Sequence, residues 1–156
     1  MFISEKVEVR ETEKGKAIFA NDKIKKEELI FSMEGKIINK ADKYSIQIEE
    51  NKHLSGQGNI HDYLNHSCIP NAYFDFNSLH FRTLRDIKKN EEITFHYLTT
   101  EWKMSYTFKC ECGSKKCLHF VKGFKYLTLE QKKELETLLS PYLKKKLYEE
   151  LRKDID

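Results

Sequence analysis

The sequence of 156 residues has few of the features that mark specialised protein classes. No apolar run approaches the roughly 20 residues that span a bilayer, and charges at Glu5 and Lys6 come too early for a secretory signal. Repeats and low-complexity tracts are absent from the sequence, and it contains only four cysteines. We therefore expect a soluble intracellular protein, cytoplasmic or nuclear, without a membrane partner. In such a reducing compartment, metal ligation or free thiols are favoured over disulfides.

The charges are nearly balanced, with 28 Lys and Arg against 25 Asp and Glu, for a net charge of +3. A dedicated nucleic-acid-binding protein usually carries a concentrated basic stripe, so we expect no direct nucleic-acid partner. Hydrophobic residues make up 39% and aromatic residues 12% of the chain. A chain of this length and composition can bury one core of ordinary size.

The apolar pattern predicts short strands first and helices last. Residues 7–38 contain short apolar runs between turns, and residues 72–84 alternate as a hairpin with its turn at Asn77 and Ser78. Residues 39–55 indicate one short strand or helix. From Leu127 the spacing becomes helical, with a capping box at Thr128 and Gln131, and Ser140 before a proline starts a second helix ending near residue 152. The prediction is a mainly β fold with C-terminal helices.

Three sequence motifs occur in a fixed order: NHSCIPN at 65–71, EEITFHY at 91–97 and CECGSKKC at 110–117. Together they resemble the paired signatures and the post-SET zinc segment of SET-domain protein-lysine methyltransferases, over residues 15–123. The resemblance implies a β-clip fold with a knot-like crossing of the two signature segments. It also implies three parts: a SET domain at 1–108, a post-SET zinc segment at 109–124 and a C-terminal helical extension at 125–156. No cysteine-rich segment precedes Gly15, so we expect a minimal enzyme.

The last motif places three cysteines within eight residues, whereas a structural zinc site takes four ligands. The resemblance supplies the fourth from the first signature, so that one structural Zn²⁺ is expected on Cys68, Cys110, Cys112 and Cys117. His119 is a competing fourth ligand. The alternative without metal is that Cys68 is a small buried residue beside a loosely structured tail.

The resemblance implies S-adenosylmethionine (SAM) as the methyl donor and Tyr97 as the active-site tyrosine. A strand-end tyrosine is also common as a core residue with a hydrated tip, so that alternative stays open. Phe95 stands at the position that controls the number of methyl groups, where a ring without a hydroxyl leaves room for di- or trimethylation. The cofactor-binding residues implied by the resemblance are Gly15, Lys16, Ala17, Tyr63, Asn65, His66, Leu118 and Phe120.

Several positions depart from the family pattern, among them Met33, which replaces an aromatic residue, and three positions in or near the motifs. Asp62 replaces an arginine, His96 an aspartate and Ala17 a second glycine. They motivate an alternative function, a non-catalytic SET-fold module that binds zinc and a protein partner. A zinc-ribbon-like nucleic-acid binder is a further alternative, which the small net charge disfavours. The leading function is methylation of a lysine in a histone tail or another basic protein. The oligomeric state is open, and a dimer through the C-terminal helices is one option.

Overall fold

The computed structural model describes residues 1–56 and 58–153. The strands are β1 (Val7–Thr12), β2 (Gly15–Ala20), β3 (Leu29–Ser32), β4 (Lys36–Ile38), β5 (Ile46–Glu49), β6 (Lys52–Ser55), β7 (Asn65–His66), β8 (Ala72–Asp75), β9 (His80–Thr83), β10 (Thr94–Phe95), β11 (Phe108–Lys109) and β12 (Phe120–Val121). Two α-helices follow, α1 (Leu129–Glu134) and α2 (Pro141–Lys153). Neither they nor any other helix in these residues has the length and apolarity to cross a membrane. The predicted mainly β fold with C-terminal helices is confirmed.

Across the described ranges the strands form five small sheets. Four are antiparallel: β1 with β2, β11 with β12, β3-β9-β8 and β4-β6-β5. The fifth joins β7 and β10 in parallel, with Asn65 opposite Thr94 and His66 opposite Phe95. This pair places the first signature beside the second. The knot-like crossing of the two segments stays a prediction.

The main core carries a row of phenylalanine rings toward the second signature. The ring of Phe81 lies 4.9 Å from those of Phe31 and Phe74, and 5.2 Å from that of Phe95, between centroids. Offset aromatic pairs at this spacing add to the stability gained from burial alone. The row fixes Phe95, and with it the chain that leads into Tyr97. The hairpin predicted over 72–84 is the β8–β9 pair that supplies Phe74 and Phe81.

Residues 39–55 differ from the prediction of one short strand or helix, because they hold β5 and β6. The hydrophobic periodicity there is weak. The two strands are held by β4 and by a side chain from a distant segment, since the carboxylate of Glu101 accepts a hydrogen bond from Gln47 N at 3.0 Å. A local pattern does not reveal a partner that far along the chain.

The helical region begins as predicted, with the capping box of Thr128 and Gln131 formed in both directions. The first helix is shorter than its leucine spacing suggests, because α1 ends at Glu134 and a 3₁₀ turn follows. Pro141 disfavours helical geometry in the residue before it, and Ser140 N donates instead to Thr99 O at 2.9 Å. The Ser140 hydroxyl then caps α2 by accepting from Leu143 N at 3.1 Å.

The helices pack against the body of the protein. Phe124, Leu143 and Leu147 are fully buried in a second core cluster that includes Trp102 and Leu139. The C-terminal extension is therefore joined to the segment that follows Tyr97 by apolar packing.

Replacing Phe124 with Ala is expected to lower the free energy of unfolding by about 3–5 kcal/mol, because it leaves a cavity between the helices and the body. Phe120→Ala is the matched control, since that ring is 59% exposed and its loss should cost less than about 0.5 kcal/mol. Urea denaturation followed by Trp102 fluorescence measures both. Equal effects of the two substitutions would contradict this packing.

Candidate functional site

Tyr97 lines two cavities. One is a cleft of about 1040 Å³, bordered by the β1–β2 turn, β7 and the segment around β11. The other is a narrow channel of about 30 Å³, which enters the body between residues 42–46 and 100–105. The residues that line both are Lys43, Tyr44, Tyr97 and Met104.

The orientation of Tyr97 is fixed by contacts from several elements. Its hydroxyl donates to Leu64 O at 2.6 Å, and its backbone N–H donates to His66 Nδ1 at 3.1 Å. Its ring lies 4.9 Å from the ring of Phe95 and 5.7 Å from that of Phe108. Burial raises the pKa of the Tyr97 phenol above its usual value. The side chain is therefore a neutral hydrogen-bond donor in the wall shared by the two cavities.

His66 connects Tyr97 with the first cysteine. Its Nδ1 accepts from Tyr97 N, so its Nε2 carries the proton and points at Cys68 Sγ, 3.3 Å away. The ring of His96 lies edge-on to it at 4.6 Å. Burial, and then the neighbouring His96, lower the pKa of His66 to about 3. The imidazole is therefore neutral, with a single tautomer set by its neighbours.

The four cysteines converge although Cys68 lies far from the other three in sequence. The four sulfur atoms all lie within 4.8 Å of one another, and Cys68 Sγ is 3.9 Å from Cys110 Sγ. Tetrahedral Zn²⁺ with Zn–S bonds of about 2.3 Å separates its sulfurs by about 3.8 Å, so the spacing fits this ion. Leu118 N donates to Cys68 Sγ at 3.4 Å, a bond that favours a thiolate acceptor. His119 is absent from this group among the described residues.

The channel has an apolar end and a polar wall. Phe95, Leu64 and Ile46 supply apolar surface, while Asp42 and Glu101 supply carboxyl groups. A free volume of about 30 Å³ holds only about two water molecules. The channel is therefore narrow, and a group held in it would lose most of its hydration.

Glu101 is the most deeply buried acid of this wall, with 7% of the residue exposed. Its Oε2 accepts from Gln47 N at 3.0 Å and from Thr100 Oγ1 at 2.5 Å. Burial raises the pKa of Glu101 to about 7, although these two hydrogen bonds act in the opposite direction and Asp42 adds to the rise. This carboxyl group therefore changes charge near neutral pH.

The structure brings together most of the residues that the sequence singled out. The cleft is lined by Gly15, Lys16, Tyr63, Asn65, His66 and Tyr97, and the channel by Phe95. Gly15 has a φ of +108°, which favours glycine at this bend. Three of the predicted cofactor residues do not line the cleft. Ala17 is 1% exposed in the core, Leu118 packs near the cysteines, and Phe120 is 59% exposed on the opposite strand of its pair.

Sequence reasoning missed several residues of the site. Tyr106 and Phe108 line the cleft and Tyr44 lines both cavities. Phe108 could have been found from the sequence, because it is an aromatic residue shortly before Cys110, the first cysteine of the tail. Glu101 carried no signal, because nothing local distinguishes a buried glutamate from the exposed ones.

Two of the departures from the family pattern have local roles. Asp62 borders the cleft and its Oδ2 accepts from Gly58 N at 2.7 Å, so its carboxylate holds the loop before it. The side chain of His96 accepts from Leu98 N at 3.2 Å and begins the 3₁₀ turn that contains Tyr97. Both side chains stabilise the backbone of the site.

The fold and the site define a SET-domain methyltransferase architecture. The model of the SET domain family matches residues 15–98, just over half of the chain, and the chain belongs to this family. Among solved structures, KRYPTONITE in complex with mCHG DNA and SAH superposes with a TM-score of 0.62 at 19% identity, covering 77% of this chain and 30% of that one. A second KRYPTONITE structure, with mCHH DNA, an H3(1-15) peptide and SAH, has a TM-score of 0.60.

Several curated relatives are named as methyltransferases. Methyltransferase flvH of Aspergillus flavus is 43% identical over 63 residues, which cover 39% of this chain and 35% of that protein. Histone-lysine N-methyltransferase mes-4 of Caenorhabditis elegans is 30% identical over 153 residues, covering 74% of this chain and 17% of that protein. The H3 lysine-36 specific enzyme of Candida albicans is 28% identical over 142 residues, with 76% and 17% covered. The chain thus spans about a third or less of the length of these relatives.

Glu101→Gln is expected to gain stability relative to the wild type as the pH rises from 5 to 8. Between an unfolded-state pKa near 4.5 and a folded-state pKa of about 7, the native carboxyl group holds a proton that the unfolded chain releases. Raising the pH through this window therefore destabilises the wild type, by on the order of 2 kcal/mol, and glutamine has no such titration.

Urea denaturation of both proteins at the two pH values measures this difference. The titration of buried histidines contributes equally to the unfolding free energy of both proteins, so it cancels in the difference between them. A difference that stays constant between pH 5 and 8 would contradict the burial of Glu101.

Proposed function

We propose that this protein is a SAM-dependent protein-lysine N-methyltransferase. The observation that carries the proposal is the position of Tyr97, which lines both the large cleft and the narrow channel. Methyl transfer to an amine needs two reactants brought into line from opposite sides, and two cavities that share Tyr97 in their walls suit that arrangement. Membership of the SET family and the named activities of the relatives support the same reaction.

The cleft has the size and chemistry for the methyl donor. Its volume of about 1040 Å³ reaches the upper range for small-molecule sites. The ring of Phe108 offers a flat apolar surface for a base, while Asn65 and Glu92 offer polar groups. Lys16 places its ammonium 5.3 Å from the centre of the Tyr63 ring. At this wall of the cleft its positive charge would neutralise the carboxylate of the methyl donor. When bound, SAM supplies an electrophilic methyl group on a sulfonium.

The residues of the channel prepare the lysine. A free lysine has a pKa of about 10.4 and must lose a proton before its nitrogen can attack. Phe95, Leu64 and Ile46 strip water from the side chain, and burial of this kind lowers the pKa of an amine. Tyr97, held by Leu64 O and His66, presents a neutral phenol to the reacting atoms. Positioning and desolvation therefore provide the rate enhancement.

The product is expected to include di- and trimethyl-lysine. Phe95 has no hydroxyl that would hold a water molecule in the channel, so the space beside the amine can accept methyl groups. The substrate is a lysine in a basic protein tail, and a histone is the first candidate because several relatives act on histone H3. KRYPTONITE, with the same fold, has been solved with an H3(1-15) peptide.

One structural Zn²⁺ would be held by Cys68, Cys110, Cys112 and Cys117. The support is the convergence of four sulfur atoms at the spacing that the ion requires. Burial raises the pKa of the Cys68 thiol well above its usual value, so a bound cation is needed to keep this sulfur deprotonated. The ion would hold the tail against the cleft and take no part in the reaction.

Tyr97→Phe is expected to reduce methyl transfer by roughly 100-fold or more, because it removes the phenol hydroxyl that faces the reacting atoms. The fold should survive, because the lost bond to Leu64 O is worth about 1 kcal/mol. Transfer of radiolabelled methyl from SAM to core histones and to lysate proteins measures the activity, and amino-acid analysis identifies methyl-lysine. Tyr126→Phe, a 52% exposed tyrosine, is the matched control.

Equal transfer by wild type and Tyr97→Phe would remove Tyr97 from the mechanism. No transfer by folded, zinc-loaded wild type onto any of these proteins would favour the non-catalytic binding module.

A further inference from the structure

We propose that Glu101 recognises the substrate amine, its carboxylate pairing with the lysine ammonium inside the channel. The identity of the ligand as a lysine rests on the proposed function, whereas the cation-binding property rests on the geometry of the channel alone.

Hydrogen bonds hold the carboxyl group of Glu101 through one of its two oxygen atoms, Oε2. It lies in the wall of the channel that also contains Phe95 and Tyr97. Gln47 N and Thr100 Oγ1 both bond to Oε2, so neither of them occupies Oε1. These two bonds fix the plane of the carboxyl group and leave one oxygen for a ligand.

A buried carboxylate is costly without a cation, and the described part of the chain supplies Glu101 with none. No lysine or arginine forms an ion pair with it in those residues. The nearby Lys43 points its ammonium at aromatic rings instead, 5.5 Å from the centre of Tyr44 and 5.3 Å from that of Tyr106. A lysine that enters the channel brings the missing charge.

The other titratable groups of the channel do not neutralise Glu101. Asp42 has the same sign, and its carboxylate accepts from Tyr44 N and from Ser55 Oγ, both at 2.9 Å. His61 has Nε2 2.8 Å from Tyr44 O, and burial lowers the pKa of its imidazole, so it is neutral near pH 7. Burial also keeps the Tyr97 phenol neutral. The channel therefore carries net negative charge once Glu101 ionises.

The same carboxylate is an acceptor for the proton that the substrate ammonium must lose. In the pair, the N–H bond of the ammonium breaks and an O–H bond forms on Glu101, which leaves a neutral amine and a neutral acid. A dry channel favours this neutral pair over two separated charges. A carboxyl group that titrates near neutral pH is suited to such a transfer.

The test uses n-butylammonium as a probe, because it has the length and charge of a lysine side chain, and n-butanol as its neutral match. Binding to ¹⁵N-labelled protein is followed by NMR chemical shifts at pH 8.5, with sodium chloride added to equalise the ionic strength. Wild type should bind the ammonium about 10-fold or more tightly than the alcohol, the size of effect that a charged hydrogen bond gives. Glu101→Gln should lose this preference.

Glu49→Gln is the matched control, since it removes an acid from the exposed surface of β5 and should keep the preference. The preference of wild type should also shrink at pH 5.5, where Glu101 is protonated. This second measurement decides the question on wild type alone if the variant fails to fold. Equal binding of the two probes by wild type at pH 8.5, or a preference that persists in Glu101→Gln, would overturn the proposal.

These outcomes are independent of the proposed function. A wild type that prefers the ammonium but transfers no methyl group would support the role of Glu101 and contradict the methyltransferase. A wild type that methylates protein but shows no preference between the probes would support the methyltransferase and contradict the role of Glu101.

Discussion

The convergence of four sulfur atoms is the constraint on which the site depends. Cys68 belongs to the first signature, and its sulfur lies 3.9 Å from that of Cys110, which is 42 residues further along the chain. The segment between Phe108 and Cys112 forms one border of the large cleft. Apart from a link between the cysteines, this border is held by the two-residue pairing of β11 with β12, by a hydrogen bond from Cys110 N to His119 O and by packing of the Phe108 ring near Tyr97. A metal ion on the thiolates would therefore complete the cleft as well as stabilise the tail.

The link extends from the sulfur atoms to the reacting end of the site. His66 lies between Cys68 Sγ and the backbone N–H of Tyr97, and it is half-buried and neutral. The parallel pairing of β7 with β10 sets the same two segments side by side. Tyr97 is thus oriented by hydrogen bonds that lead back to the cysteine cluster and by ring packing that leads back to the core. The two cavities that Tyr97 lines differ in volume, about 1040 Å³ against about 30 Å³, which suits them to two different reactants.

Much of this could be predicted from the sequence, because several motifs determine their own local structure. The capping box at Thr128 and the proline after Ser140 define helix starts through local hydrogen bonds and sterics. The hairpin over 72–84 follows from alternation. The roles of Tyr97, Asn65 and Cys68 came from resemblance to a family, since no local rule places them together.

What could not be predicted depends on long-range contacts. Glu101 is a site residue because β5 packs over it and Gln47 N bonds to its carboxylate, and Gln47 is 54 residues earlier in the chain. Phe120 was expected to bind the cofactor because of the resemblance to the family. The pairing of β12 with β11 leaves it exposed, and Phe108 lines the cleft from the neighbouring strand. Strand register of this kind is set by tertiary pairing.

The measurement that tests the central claim most directly is the affinity for S-adenosylhomocysteine before and after removal of zinc, by isothermal titration calorimetry. The zinc-loaded protein should bind it at one site per chain. Chelation should weaken binding by about 10-fold or more, because metal binding is coupled to folding of the segment that borders the cleft, and added Zn²⁺ should restore it. Equal affinity with and without zinc would show that the cysteine cluster does not form the cofactor cleft.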